Sequence, residues 1–132
     1  MFVDASAIVA MAAGEADAAH FAAAVATVPG CVTSPIAVYE SALAVARILA
    51  IPVDQANRAL EEFLALARIE VVPVPPEAAP LAIDAFARYG KGQGHPAQLN
   101  MGDCFAYACA RHFDVPLLYK GDDFARTDVR RA

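Results

Sequence analysis

A set of carboxylates occupies positions from which a sheet of parallel strands could gather them into one site. Its members are Asp4, Glu40, Asp103, Asp122 and Asp123. Carboxylates that converge in one pocket raise each other's pKa, and a hard divalent cation relieves their repulsion. Mg²⁺ or Mn²⁺ bound by such a cluster activates water and draws charge from a phosphoryl oxygen, so this set favours phosphodiester hydrolysis.

Three of these acids follow predicted strands. Asp4 comes directly after the apolar residues 1–3, and Asp122 and Asp123 come shortly after the apolar run 115–119. The carboxyl ends of parallel strands share one edge of a sheet, which is where ligands bind in such folds. The alternatives are structural, because Asp4 also suits the N-cap of the following helix and two acids after a glycine are typical of a turn.

The other two acids belong to predicted helices. Glu40 lies among apolar residues, where its charge needs a partner unless it reaches water or pairs with Arg47. Asp103 stands three residues after Asn100, which is the spacing of a capping box at the start of an apolar helix. Because that helix is apolar enough to be buried, we expect the Asp103 carboxylate to face a crevice rather than open solvent.

The elements that must position these residues alternate between strands and helices. Short apolar runs predict strands at 1–4, 31–33, 69–74 and 115–119. Helical spacing and end signals predict helices at 5–13, 15–28, 35–50, 53–67, 77–89 and 100–113, and the glycine-rich residues 90–96 predict a loop. This order predicts an α/β fold, a three-layer α/β/α sandwich with a short parallel sheet, built as a single domain over 1–132.

The balance of charge limits how a nucleic acid or another phosphate ester could be bound. The net charge of −5 is unlike the basic excess of most nucleic-acid-binding proteins. A metal-loaded acidic site attracts phosphate by itself, so basic groups need only be local. Lys91, His95, Lys120 and Arg126 lie on predicted loops or strand ends where they could touch an RNA backbone, although each alone is more simply a solvated surface residue.

The apolar segments and the cysteines indicate the compartment. No apolar run reaches the roughly 18 residues that a membrane span needs, and no basic segment precedes the apolar N-terminus, so we expect a cytoplasmic protein without membrane association. The three cysteines are odd in number and lack CxxC spacing. We therefore expect buried thiols rather than a disulfide framework or a zinc site.

Several segments together resemble a known family. Residues 1–10, 39–40, 89–92, 95–97, 99–108 and 117–124 are similar to the VapC toxins, which are PIN-domain ribonucleases. The resemblance covers essentially the whole chain. Its most specific parts begin at Leu99 and at Leu117, whereas the opening Asp4-Ala5-Ser6 alone would be weak.

The resemblance implies a PIN-domain-like fold and a Mg²⁺- or Mn²⁺-dependent endoribonuclease that uses water rather than a covalent intermediate. It implies that the chain is the toxin of a type II, VapBC-like toxin–antitoxin system. RNA would then be the substrate and a VapB-type antitoxin the inhibitor, and the chain would form a homodimer.

The resemblance also assigns roles to residues of this sequence. It implies that Asp4 and Asp103 are the principal metal ligands, and that Glu40 and one of the acids at 122 and 123 complete the catalytic cluster. Ser6 resembles the small hydroxyl residue that supports the first aspartate. Apart from the resemblance, the capping-box spacing predicts that Asn100 supports Asp103. The candidate RNA contacts remain Lys91, His95 and Lys120.

Other classes of protein fit the sequence less well. A receiver-type signalling module would have adjacent acids after its first strand, yet Val3 precedes Asp4. A haloacid dehalogenase-type phosphatase would have Asp-x-Asp, and position 6 is serine. The more serious alternative is a catalytically silent PIN-like module that only binds RNA or its antitoxin.

Overall fold

The computed structural model describes residues 1–132 and contains a sheet of four short parallel strands. They are β1 (Phe2–Val3), β2 (Val32–Thr33), β3 (Glu70–Val71) and β4 (Leu117–Leu118). The strand order is β3-β2-β1-β4, and each neighbouring pair is parallel. Because β1 lies between β2 and β4, the acid that follows β1 emerges inside the sheet rather than at its margin.

Six α-helices surround the sheet. They are α1 (Ala5–Ala12), α2 (Ala18–Thr27), α3 (Pro35–Leu49), α4 (Val53–Ala67), α5 (Ala78–Tyr89) and α6 (Met101–His112), and a 3₁₀ turn follows at Phe124–Arg126. The predicted helices therefore all form. The predicted 15–28 helix begins only at Ala18, because residues 16 and 17 form a turn.

Alternation along the strands divides the core into two layers. Phe2 and Leu117 pack into a cluster with residues of α5 and α6, whereas Val3 and Leu118 pack into another with residues of α1, α2 and α4. Successive strand residues point to opposite faces, so each face of the sheet is covered by helices. The predicted three-layer α/β/α arrangement with a parallel sheet is confirmed.

All four strands are shorter than predicted, and the third differs most. The run 69–74 contributes only Glu70–Val71 to the sheet, and its last ladder hydrogen bond joins the Val72 N–H to the Thr33 carbonyl at 2.9 Å. Pro73 follows and has no N–H to donate, so pairing ends there. β3 lies at one edge of the sheet, and its two residues are exposed.

The N-terminus of α3 follows its sequence signals. The Ser34 side chain accepts a hydrogen bond from the Ala37 N–H at 3.2 Å, and Pro35 occupies the first helical position. This fixed start sets the rotation of α3 and with it the direction of Glu40, which lies in the second turn.

Two further observations concern the cysteines and the helix lengths. All three cysteines are buried and unpaired. No single helix is long and apolar enough to cross a membrane; α3 and α4 meet that criterion of length and composition only as a pair bent by 117°.

Candidate active site

The carboxyl edge of the sheet opens into a cleft of about 870 Å³. Its polar lining consists of the acids Asp4, Glu15, Glu40 and Asp103, the bases Arg47 and Lys120, and Ser6, Tyr39 and Asn100. Three of the acids predicted from the sequence therefore share one cleft, although they come from β1, α3 and α6.

Asp4 is both a helix cap and a wall of the cleft. It is 3% exposed, and its Oδ2 accepts hydrogen bonds from the Ser6 N–H at 2.9 Å and from the Ser6 hydroxyl. Burial raises the pKa of Asp4, and the hydrogen bonds from Ser6 oppose that rise. The cap uses Oδ2 alone, so Oδ1 is left without a hydrogen-bond donor.

Ser6 connects Asp4 to the end of β4. Its hydroxyl donates to Asp4 and accepts a hydrogen bond from the Lys120 N–H at 3.0 Å. The backbone N–H of Asp4 also bonds to the Leu118 carbonyl at 2.9 Å. These bonds fix the Asp4 side chain relative to two neighbouring strands.

Asp103 is held by the capping box of α6. The Asn100 side chain accepts from the Asp103 N–H at 2.9 Å, and Asp103 Oδ2 accepts from the Asn100 N–H at 2.8 Å. Burial raises the pKa of Asp103 to about 7, and the negative charges of Asp4, Glu40 and Asp123 add to the rise. Asp103 therefore completes the capping box of α6 and also lines the cleft.

Glu40 reaches the cleft because Gly102 leaves room for it. A Cβ at Gly102 would lie 2.1 Å from both Glu40 carboxylate oxygens, so the carboxylate rests directly against this part of α6. Glu40 is partly buried, and desolvation together with the charge of Asp4 raises its pKa. No ion pair joins Glu40 to Arg47.

The sequence analysis did not identify Gly102 as part of this site. It occupies the first turn of a helix, where glycine is less favourable than alanine by roughly 0.5 to 1 kcal/mol. Its φ is not positive, so the backbone does not require glycine. A glycine in a helical turn beside a candidate acid was the signal that could have identified it.

The structure separates the two acids that follow β4. The charge of Asp123 contributes to the raised pKa of Asp103, whereas Asp122 makes no such contribution. Both residues are exposed and neither lines the cleft. Asp123 is therefore the better candidate for the fourth acid.

The basic residues predicted to contact RNA are engaged elsewhere or lie outside the cleft. The Lys120 ammonium pairs with Glu15 and, at 2.9 Å, with Asp17. His95 Nδ1 accepts from the Ala97 N–H at 3.1 Å. Lys91 is exposed on the loop after α5, and like His95 it does not line the cleft.

The donor set of the cleft fits a hard divalent cation. No three Asp, Glu, His or Cys side chains stand close enough to enclose an ion by themselves. Mg²⁺, however, usually takes one or two carboxylates and keeps several waters. Asp4 Oδ1, Asp103 Oδ1 and both Glu40 carboxylate oxygens accept no hydrogen bond from the protein, and the pKa of each of these acids is raised.

Comparisons with known proteins agree with this geometry. The PIN domain family matches residues 1–130. Ribonuclease VapC28 of Mycobacterium tuberculosis is 43% identical over 133 residues, which cover 100% of this chain and 97% of that protein. VapC ribonuclease R02377 of Rhizobium meliloti is 37% identical over 106 residues, which cover 73% of this chain and 75% of that protein.

A solved structure shares the fold. The crystal structure of Mycobacterium tuberculosis VapC20, a Sarcin-Ricin loop cleaving toxin, matches with a TM-score of 0.76 at 18% identity and covers 99% of this chain and 97% of that one. The resemblance drawn from the sequence is confirmed. The chain belongs to the PIN-domain family and, within it, to the VapC ribonucleases.

Proposed function

We propose that this chain is an endoribonuclease that hydrolyses RNA phosphodiester bonds at the cleft around Asp4, with Mg²⁺ or Mn²⁺ as cofactor. The observation that carries the proposal is the convergence of Asp4, Glu40 and Asp103, from three separate elements, on one cleft. Burial is the main cause of the raised pKa of each of these acids, and the charges of neighbouring carboxylates add to the rise at Glu40 and Asp103.

The acids of the cleft would have separate roles in this reaction. Asp4 and Asp103 would hold the cation, since each has one carboxylate oxygen free of hydrogen bonds. A divalent cation there lowers the pKa of water and polarises a phosphoryl oxygen. Glu40 carries a free carboxylate of raised pKa and is positioned to accept the proton that the attacking water loses. Asp123 would add negative charge beside Asp103.

Two residues would support this arrangement without touching RNA. Ser6 fixes the side chain of Asp4 through its hydroxyl and its backbone N–H. Asn100 fixes Asp103 through the capping box. Because both carboxylates are oriented before any ligand binds, little ordering has to accompany substrate binding.

The proposal extends to the biological setting that the VapC family suggests. The chain would act in the cytoplasm as the toxin of a VapBC-like pair, inhibited by a VapB-like antitoxin, and would form a homodimer. Expression without the antitoxin should arrest growth, and Asp4→Asn should relieve the arrest. Light scattering that shows only monomer at low micromolar concentration would contradict the homodimer.

We also propose that residues 1–132 act as one domain. Both core clusters contain residues of β1 and β4, so neither layer can unfold without exposing the sheet. A single cooperative transition, coincident by near- and far-ultraviolet circular dichroism, is expected. Two separated transitions would contradict the proposal.

The test of the catalytic proposal compares RNA cleavage by the purified protein with Mg²⁺, with EDTA, and as Asp4→Asn or Asp103→Asn. Cleavage should require the metal and fall at least about 100-fold in either variant. Asp54→Asn is the matched control, because Asp54 is an exposed acid on α4 outside the cleft. Metal-independent cleavage, or full activity in either variant, would refute the mechanism. RNA binding without cleavage under any condition would favour the catalytically silent alternative.

A further inference from the structure

The α3 wall of the cleft carries side chains that the proposed chemistry does not use. Tyr39, Leu43 and Arg47 recur every four residues and therefore form one stripe, about 12 Å long at 1.5 Å per residue. All three are exposed and all three line the cleft. We call this set the α3 stripe.

Tyr39 differs from the other tyrosines of the chain. Its exposure is 65%, whereas Tyr89, Tyr107 and Tyr119 are each less than 10% exposed. Tyr39 lines the same cleft as Asp4, Glu40 and Asp103, so its exposed side chain borders the acidic cluster. An exposed aromatic ring beside a phosphodiesterase site is the group on which an unstacked base packs.

Arg47 is the one cation of the cleft that makes no ion pair. The other cation, Lys120, is neutralised by Glu15 and Asp17. A guanidinium binds phosphate through paired N–H donors, and the acids of this cleft would otherwise repel an RNA strand. Arg47 lies seven residues beyond Glu40, about 10 Å along the helix axis, so it would reach a phosphate other than the cleaved one.

We propose that the α3 stripe binds single-stranded RNA next to the cleaved bond, with Tyr39 stacked on an unpaired base and Arg47 on a backbone phosphate. The inference rests on the proposed ribonuclease function and names the residues that would hold the substrate beside the acids. In a duplex the bases are already stacked on their neighbours, so Tyr39 has no free face to cover. The stripe is continuous with the acidic cluster, which places the bound base beside the reacting phosphate.

Tyrosine fluorescence measures this contact directly. The chain has no tryptophan and four tyrosines, of which only Tyr39 is exposed. In EDTA, titration with an unstructured RNA oligonucleotide should quench the emission, and a fully paired duplex should not. Tyr39→Phe should bind the RNA within twofold of wild type and lose the quenching. Tyr39→Ala should weaken binding about 5- to 150-fold.

The salt dependence of binding tests Arg47 separately. Arg47→Ala should weaken binding and reduce the slope of log K against log salt by about 0.7, the value for one phosphate contact on a single strand. Arg47→Lys should retain the slope. Arg58→Ala, which removes the same charge from an exposed site on α4, is the matched control and should change neither quantity.

Cleavage assays separate failure of this inference from failure of the proposed function. With Mg²⁺, Tyr39→Ala should raise KM for single-stranded RNA with kcat within about twofold of wild type. Wild-type affinity and KM in both alanine variants would overturn the inference while leaving the ribonuclease intact. RNA that quenches the tyrosine emission but is not cleaved would overturn the proposed ribonuclease function and support RNA binding at the α3 stripe. A Tyr39→Ala variant that only changes the oligomeric state would assign the stripe to a contact between copies.

Discussion

Replacing Gly102 with alanine tests whether the position of the Glu40 carboxylate determines the rate of RNA cleavage. The new Cβ would lie 2.1 Å from both carboxylate oxygens and 2.3 Å from the carboxylate carbon. The start of α6 is fixed by its capping box and its buried residues, so the Glu40 side chain must move instead. To regain an ordinary contact of 3.4 Å, the carboxylate has to withdraw by about 1.3 Å.

The expected loss follows from the size of this displacement. A misplacement of about 1 Å at a reacting group costs roughly 100-fold in rate, or about 2.7 kcal/mol in the activation free energy. Stability should hold or rise, because alanine is favoured over glycine in a helix by roughly 0.5 to 1 kcal/mol. Gly102→Ala should therefore lose activity without losing stability.

The assay measures kcat/KM for RNA cleavage with Mg²⁺ and the melting temperature in the same buffer. Glu40→Asp shortens the side chain by one methylene and withdraws the carboxylate from the new Cβ. The double variant should thus be more active than the product of the two single losses predicts. Wild-type kcat/KM in Gly102→Ala would refute the reasoning, and a matching fall in melting temperature would assign the loss to folding.

Three other substitutions test the charges and hydrogen bonds around the site and the C-terminus. The pKa of Asp103 is about 7, against 3.8 in the unfolded chain, so the folded state loses stability as the pH rises from about 4 to above 7. Asp103→Asn should therefore raise the melting temperature of the metal-free protein, and the rise at pH 8 should be roughly two to three times the rise at pH 5. Ser6→Ala removes a hydrogen bond that lowers the pKa of Asp4, so the acid limb of the pH profile of kcat/KM should move to higher pH. Ser6→Thr keeps a hydroxyl and should leave the acid limb in place. Asp128 accepts a hydrogen bond from the Tyr107 hydroxyl at 2.6 Å, and this bond lowers the pKa of Asp128. Asp128→Ala should therefore lower the free energy of unfolding in urea by about 1 kcal/mol at pH 7 and by much less at pH 3. An equal loss at both pH values would contradict this.

The sequence predicted the parts of the site that depend on local signals. Asp4 and Asp103 were identified because each stands at a boundary that a few residues define: an apolar run before Asp4, and Asn100 three residues before Asp103. The apolar runs also predicted which strands are buried. Phe2 and Val3 are both apolar, and they enter opposite layers of the core. Such signals operate within one element and need no knowledge of how the elements pack.

The parts that the sequence did not predict depend on contacts between distant elements. Gly102 matters only because α3 brings Glu40 against the first turn of α6. Lys120 was expected to face RNA, but its ammonium pairs with Glu15 and Asp17, more than 100 residues earlier in the chain. The choice between Asp122 and Asp123 likewise depends on the turn after Gly121, whose φ of 93° redirects the chain.

Helix capping explains how an acidic cleft can be built rigidly before any cation binds. Asp4 and Asp103 each give one carboxylate oxygen, Oδ2, to the start of a helix, and each keeps Oδ1 free of hydrogen bonds. The cap therefore orients the side chain without consuming the oxygen that a cation would need. Glu40 has no such anchor, because neither of its oxygens accepts a hydrogen bond, and its carboxylate rests against Gly102. Because two of the carboxylates are fixed locally and the third is fixed by packing, the packing of α3 on α6 determines whether the cluster is complete.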